Sequence, residues 1–263
     1  MTGGIARFIG LAGIAAMAAL ALAGPLLVGH DPARQNLMAS LPPPLSEGHL
    51  LGTDHLGRDM AARLLAGARI TLSLAAFAVL SAACFGTGLG ILAGWAGGIT
   101  DRLLGAFADG VLALPGLLLV LLLAAIHPNS WWTLYAGLAL TLWVEFFRMS
   151  RARTRIVVAG PAVEAAQMLG LGRWHIVRRH LWPAVATQVL TLAAFGAATV
   201  VTALATLGFI SVGLRPPTPE WGVMMAELLP NWREAPWTVM APVICLAFTV
   251  ACLRLCAGRE EEA

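Results

Sequence analysis

Residues 161–183 read PAVEAAQMLGLGRWHIVRRHLWP, a polar, arginine-rich stretch set between two long apolar segments. The apolar neighbours alone would describe many membrane proteins; the insert is narrower. Pro161 suits the first position of a helix. Glu164 falls in the first turn, against the positive end of the helix dipole, and Gly170 and Gly172 interrupt the helix-forming run. A second short helix is predicted over Arg173–His180, with Arg178 and Arg179 at the electrostatically favoured end, before Pro183 marks entry to the next apolar segment. The element is helix, glycine elbow, helix. Its first helix, about nine residues or ~13 Å, is too short to span a bilayer and unstable alone. It needs a surface to pack on, and the small Ala165 and Ala166 suit close approach by a partner.

Outward from the insert, apolar runs of spanning length fall near residues 8–29, 70–97, 103–126, 131–149, 184–213 and 237–257. None alternates with period two, so none reads as a strand series. Lipid favours helices because each satisfies its own backbone groups. Six transmembrane helices are therefore predicted. The N-terminal run of about 22 residues exceeds a secretory hydrophobic region of about 7 to 15 and reads as an uncleaved first span. Seven arginines (148, 151, 153, 155, 173, 178 and 179) lie between Arg148 and Pro183 against one acid, Glu164. Basic short loops stay in the cytoplasm. This places the insert and both termini there, and segments 30–69 and 214–236 outside.

Composition agrees. The 263 residues are 59% hydrophobic and 12% charged, about half the charge of a soluble domain, with mean hydropathy +0.79. All 17 basic residues are arginine. A P-loop needs a lysine on the phosphates, so this chain carries no standard nucleotide site, and any ATP chemistry belongs to another subunit. Net charge +3 and pI near 9.0 do not imply nucleic acid, given where the arginines lie. Cys84, Cys245, Cys252 and Cys256 lie in apolar runs without a CxxC pair and read as small buried hydrophobes.

Gly86, Gly90, Gly94 and Gly98 recur every four residues and line one helix face, permitting close backbone approach within the chain or to a second subunit. Asp109 lies in the third predicted span, six residues before Pro115, which is expected to kink it. It reads either as a pathway residue or, preferably, as an interfacial acid, since Asp101 and Arg102 begin that span two turns earlier.

The pattern Glu164-Ala165-Ala166, three residues, Gly170, nine residues, then His180-Leu181-Trp182-Pro183 resembles the EAA loop of inner-membrane subunits of binding-protein-dependent ABC importers; Trp182 stands where that family usually has Leu. Leu51-Gly52-Thr53-Asp54-His55-Leu56-Gly57-Arg58-Asp59, Gly67-Ala68-Arg69-Ile70, Pro216-Pro217-Thr218-Pro219-Glu220-Trp221-Gly222 and Ala235-Pro236-Trp237 are similar to the dipeptide/oligopeptide/nickel branch, as is Asp109 to Pro115. The likeness covers about residues 50 to 243. Two departures stand out. Ala106 replaces the Arg usually found three residues before the third-span Asp, so an Arg-to-Asp pairing there is lost. The C-terminal Leu253–Gly258 also differs from the family's usual ending.

The resemblance implies an all-α integral membrane fold, a type I (MetI-like) permease bundle of a bacterial inner membrane. Residues 1–68 would hold the first span and an outer segment; residues 69–258 would form the transmembrane domain, with the EAA loop at about 150–183. It implies a second permease in a heterodimer, two ATP-binding subunits that use the ATP, a periplasmic or lipid-anchored solute-binding protein, and lipid. Glu164, Ala165, Ala166, Gly170 and Pro183 would couple to the ATPase. The cargo implied is a peptide, or nickel or a metal chelate, with peptide preferred.

A membrane enzyme is disfavoured, because no HExxH, GxSxG or metal-spaced Cys/His cluster is present. An ion-coupled secondary transporter is the other alternative, although no internal repeat is seen. His30, His49 and His55 invite a nickel reading, but their spacing defines no ligand face, so no metal ligand is assigned.

Overall fold

A computed structural model describes residues 2–46 and 48–258. Among these, regular structure is helical: α1 (Thr2–Val28), α2 (Met60–Ala96), α3 (Gly98–Leu112), α4 (Gly116–Ile126), α5 (Trp131–Val158), α6 (Pro161–Met168), α7 (Arg173–Ile176), α8 (Trp182–Phe209), α9 (Trp221–Leu228) and α10 (Pro236–Ala257), with short 3-10 and π turns between. Four uninterrupted helical stretches are long and apolar enough to cross a membrane: Gly4–Val28, Met60–Ala96, Arg173–Phe209 and Pro236–Ala257.

The third expected span is not one rod. It breaks at Ala113–Pro115 into α3 and α4, bent by 76°. Pro115 cannot donate a backbone N–H and its ring clashes with the carbonyl four residues earlier, so the helix stops and restarts. The fourth expected span is α5, whose 28 residues carry Glu145 and four arginines. It is long enough to cross but too polar to qualify by composition. Its apolar side is nevertheless the centre of the bundle: Leu138, Leu142, Val144, Phe146 and Phe147 are buried against Leu74, Ala78 and Ala82 of α2 and Val200, Val201 and Leu204 of α8.

The glycine face of α2 is used inside the chain. A Cβ added at Gly86, Gly90 or Gly94 would strike the carbonyl oxygens of Trp143, Phe147 and Arg151 respectively. A ladder of four-residue steps on α2 thus lies directly on a ladder of four-residue steps on α5, which lets the backbones approach as in other small-residue crossings. Gly98 does not take part. Gly97 and Gly98 have φ of +60° and +56° and turn the chain from α2 into α3. On the periphery, Gly10 and Gly13 of α1 lie against Cys252 of α10, and Phe8, Leu22 and Leu26 face outward.

Helix α2 starts ten residues before the expected span and runs about 55 Å at 1.5 Å per residue, well beyond a hydrocarbon core of about 30 Å. The expected division at residues 68/69 falls inside it. Hydropathy misses the early start because Arg63 and Arg69 interrupt the apolar pattern. Arg63 is nonetheless fully buried. Asp54, Arg58, Arg63 and Glu227 form a closed square: Arg58 Nε donates to Asp54 Oδ2 at 2.6 Å, Arg63 also donates to Asp54, and the two arginines reach the two Glu227 oxygens at 2.5 and 2.6 Å. Burial would raise the Asp54 carboxyl. The Arg58 backbone N–H and the Arg63 and Arg58 guanidiniums outweigh it and hold the group below the ordinary carboxylate range. Glu227 is likewise held low, burial being outweighed by Arg63 and Arg58.

The two stretches quoted above therefore meet in space. Asp54 Oδ1 accepts the N–H groups of Leu56 and Arg58, closing the 54–58 turn, and Asp59 caps α2 by accepting from Ala62 N at 2.7 Å. Glu220 caps α9 through Val223 N, Trp221 is fully buried with Nε1 donating to the Leu64 carbonyl at 3.1 Å, and Gly222 lies on the Ala205 carbonyl of α8. Glu220 has no charged partner among the described residues. Burial pushes its carboxyl up to about 7 against the opposing pull of the Gly222, Val223 and Trp221 N–H groups.

Candidate functional site: a packed insert and a polar helix face

At the other end of α2, the chain leaves α5 and enters the insert. Helix α6 is eight residues long and opens with Pro161 in its first turn. Val163 and Ala166 are buried together with Ile176 of α7, beside Trp95 of α2 and Val157 of α5. This small cluster is the surface that the short helix requires. It also corrects one expectation: Ala166 faces the chain's own cluster, whereas Glu164 and Ala165 are exposed. Met168, Leu169 and Trp174 are 80%, 77% and 75% exposed, so the outward side of the insert mixes large apolar side chains with Glu164 and the exposed Arg173, Arg178 and Arg179.

The elbow rests on Gly170. Leu171 N donates to Ala166 O and Gly170 N to Gln167 O, both at 3.0 Å, the paired bonds of a Schellman ending. Gly170 has φ +71°, a region that favours glycine, whereas Gly172 has φ −64° and simply precedes α7. The second short helix, expected to end at His180, does not end there. Arg173–Phe209 is one continuous stretch with a π turn over Val177–Leu181, in which Trp182 N bonds to Val177 O. The turn immediately precedes Pro183, which has no N–H to offer the regular ladder. The insert's second helix is therefore joined to α8 without a loop between them.

The arginines 148, 151, 153 and 155 lie on α5, not in a loop. Three of them reach back to α3. Arg151 Nε is 2.5 Å from Asp101 Oδ1, Arg155 bonds the other oxygen, and Arg148 is 2.6 Å from Asp109 Oδ1. An Arg partner for Asp109 thus exists, but it comes from α5 and not from position 106. Asp109 and Arg148 are both more than half exposed.

A polar face went unrecognised in the sequence. Gln188, Thr191, Thr199, Thr202 and Thr206 recur at three- and four-residue steps, or their sums, on α8, the spacing of one helix face. Thr199, Thr202 and Thr206 line a cavity of about 460 Å³ with Thr141 and Glu145 of α5, Val120 of α4 and Arg254 of α10. Gln188 and Thr191 line a second of about 610 Å³, and Glu145 borders both. The threonine hydroxyls donate to carbonyls four residues back, as Thr202 does to Ala198 O at 2.8 Å, so the face is polar without breaking its helix. The periodicity was the available signal, masked by the high hydropathy of the segment.

The family model for the binding-protein-dependent transport system inner membrane component matches residues 86–259. The chain belongs to that family. It is similar to the dipeptide transport system permease protein DppC of Alkalihalophilus pseudofirmus, 33% identical over 234 residues that cover 89% of this chain and 77% of the relative. It is also similar to the glutathione transport system permease protein GsiD of Pectobacterium atrosepticum, 32% identical over 210 residues, 80% and 70% of the two chains. A chain from the methionine ABC transporter MetNI in an inward-facing conformation shares its fold, with a TM-score of 0.57 at 16% identity over 75% of this chain and 94% of that one.

This ABC importer permease of the dipeptide/oligopeptide family is accordingly a multi-pass inner-membrane protein with the type I permease fold. It is not itself an enzyme, and it works within a transport system with ATPase partners. Membership removes the membrane-enzyme and secondary-transporter alternatives.

Proposed function

We propose that this chain forms half of the path by which an ATP-driven importer takes up peptide-type solutes, and that the 161–183 insert transmits the ATPase motion to it. The observation that carries this is the division of α6: Val163 and Ala166 anchor it to α2 and α5, while Glu164, Ala165, Met168 and Leu169 stand exposed for a partner. ATP is bound by two partner subunits and the chain itself holds no cofactor. Glu164 is the polar anchor, Gly170 the elbow, and Pro183 the point where the lever enters α8. Asp109, paired to Arg148, is assigned to bracing α3 on α5. The threonine face of α8, with Glu145, lines the path opposite a second, non-identical permease, and a solute-binding protein delivers cargo from outside. The insert and both termini are then cytoplasmic. The names of the similar relatives, dipeptide and glutathione permeases, support peptide cargo over nickel or metal chelates.

The test is uptake and solute-stimulated ATPase activity of the reconstituted complex. Glu164→Lys and Gly170→Pro are expected to lower uptake by roughly tenfold or more, a loss of about 1.4 kcal/mol of coupling, while the chain remains folded. Uptake at the wild-type level in both variants, or external labelling of residue 164 in intact cells, overturns the assignment.

A further inference from the structure

We propose that His30, His49 and Asp59 form a binding site for a divalent transition cation of borderline softness, such as Zn²⁺ or Ni²⁺, at the end of the bundle opposite the insert. The three residues come from separate segments. His30 follows α1, His49 sits in the turn after Ser46, and Asp59 is the N-cap of α2. Their candidate ligand atoms all lie within 4.8 Å of one another. His49 Nδ1 is 2.7 Å from Asp59 Oδ2, His30 Nδ1 is 3.9 Å from the same oxygen, and the two imidazole centroids are 5.2 Å apart. Ligands held at about 2.0–2.1 Å around a tetrahedral ion stand roughly 3.4 Å from one another. On that geometry the His49–Asp59 separation must open by about 0.7 Å, the His30–Asp59 separation close by about 0.5 Å, and the His30–His49 separation, within 4.8 Å, close by up to about 1.4 Å, adjustments made by imidazole rotation.

The donor set selects the ion. Two imidazole nitrogens and one carboxylate oxygen favour zinc, nickel or copper over magnesium and calcium, which prefer all-oxygen shells. The carboxylate is already oriented, because its other oxygen accepts the Ala62 N–H at 2.7 Å, the kind of outer contact that fixes a ligand in established metal sites. Burial is graded: Asp59 is 3% exposed, His49 19% and His30 42%. A cavity of about 300 Å³, lined also by Leu27, Ser46, Gly48 and Leu50, opens onto the three groups and leaves room for a fourth ligand such as water. Bonds from Leu45 N to Leu50 O and from His49 N to Ser46 O hold the turn that presents His49. A cation here would clip the end of α1, the irregular segment and the start of α2 together, and would stabilise the folded chain by mass action. The inference is independent of the cargo and of the insert's role.

The probes are Zn²⁺ and Ni²⁺ alone, titrated calorimetrically into the chelator-treated, tag-free full-length chain in detergent, with its melting temperature followed in parallel. The expected result is one equivalent of Zn²⁺ per chain and a raised melting temperature. Both effects should weaken by at least ~10-fold in apparent affinity in His30→Asn and in His49→Asn. Variants that melt like the wild type without metal show that folding is intact, and His175→Asn, at the opposite end, should bind like the wild type. Affinity unchanged in the His30→Asn/His49→Asn double variant, no saturable binding, or equal loss in His175→Asn overturns the proposal. If both single variants prove unfolded, the wild-type chain decides by X-ray absorption on bound Zn²⁺: a shell with two imidazoles supports the site, and a shell without imidazole refutes it.

Discussion

The two ends of α2 are built on opposite principles. Near Met60 the chain matches its own buried charge: two arginines and two acids neutralise one another, Trp221 is fully enclosed, and Asp59 and Glu220 cap their helices. Near Trp95 it stops short. A cluster of three buried residues holds the insert, and the rest of its apolar surface faces solvent. The first end is a charge-matched bracket; the second is an exposed surface, which the proposed function gives to a partner. The small-residue crossing of α2 on α5 joins them as a closely packed strut, and on the proposed function displacement of the insert would be passed along it.

The largest blow to this contrast should come from the bracket. Arg63→Ala or Glu227→Ala leaves uncompensated buried charge and is expected to destabilise by about 3–5 kcal/mol, seen as a collapse of monodisperse protein in thermal-stability measurements. The double variant should be less damaging than the sum of the two, because the partners share one network. Next is the strut. Gly90→Leu would drive a side chain into the Phe147 carbonyl and is expected to cost about 1–3 kcal/mol or more, with Gly88→Leu, whose site is open, as the near-neutral control.

Acid and base should affect the bracket differently. Asp54 and Glu227 are held low in the folded chain. Their stabilisation is present above the unfolded values of roughly 4 and is lost as pH falls through the lower folded values. Glu220 is raised to about 7, so the folded state holds its proton longer and stability declines as pH rises from about 4.5 to 7. Glu220→Gln keeps an oxygen for Val223 N, and its melting temperature relative to wild type should climb by a few degrees between pH 5 and pH 8. A flat difference would mean that the carboxylate is solvated.

The smallest stability effect belongs to the insert. Glu164→Lys and Leu169→Asp, both at exposed positions, should shift stability by no more than about 0.5 kcal/mol while impairing uptake. If either unfolds the chain, the insert is part of the core and the contrast between the ends fails.

Much of this was legible in residue order. Hydropathy and the arginine-rich insert made the chain a polytopic helical protein. Proline and glycine placed the break after Asp109 and the elbow at Gly170. The four-residue glycine repeat announced a close crossing, and such local signals need no knowledge of distant contacts. The early start of α2 was hidden because charge ordinarily ends an apolar run, and only Asp54 and Glu227, the latter 164 positions from Arg63, make a buried arginine tolerable. That Ala166 turns inward while Ala165 turns outward, that α5 is the strut's second member, and that His30, His49 and Asp59 converge were likewise settled only by tertiary packing. Charge compensation, burial and ligand convergence are relations between residues far apart in sequence, and they come into being only when the helices pack.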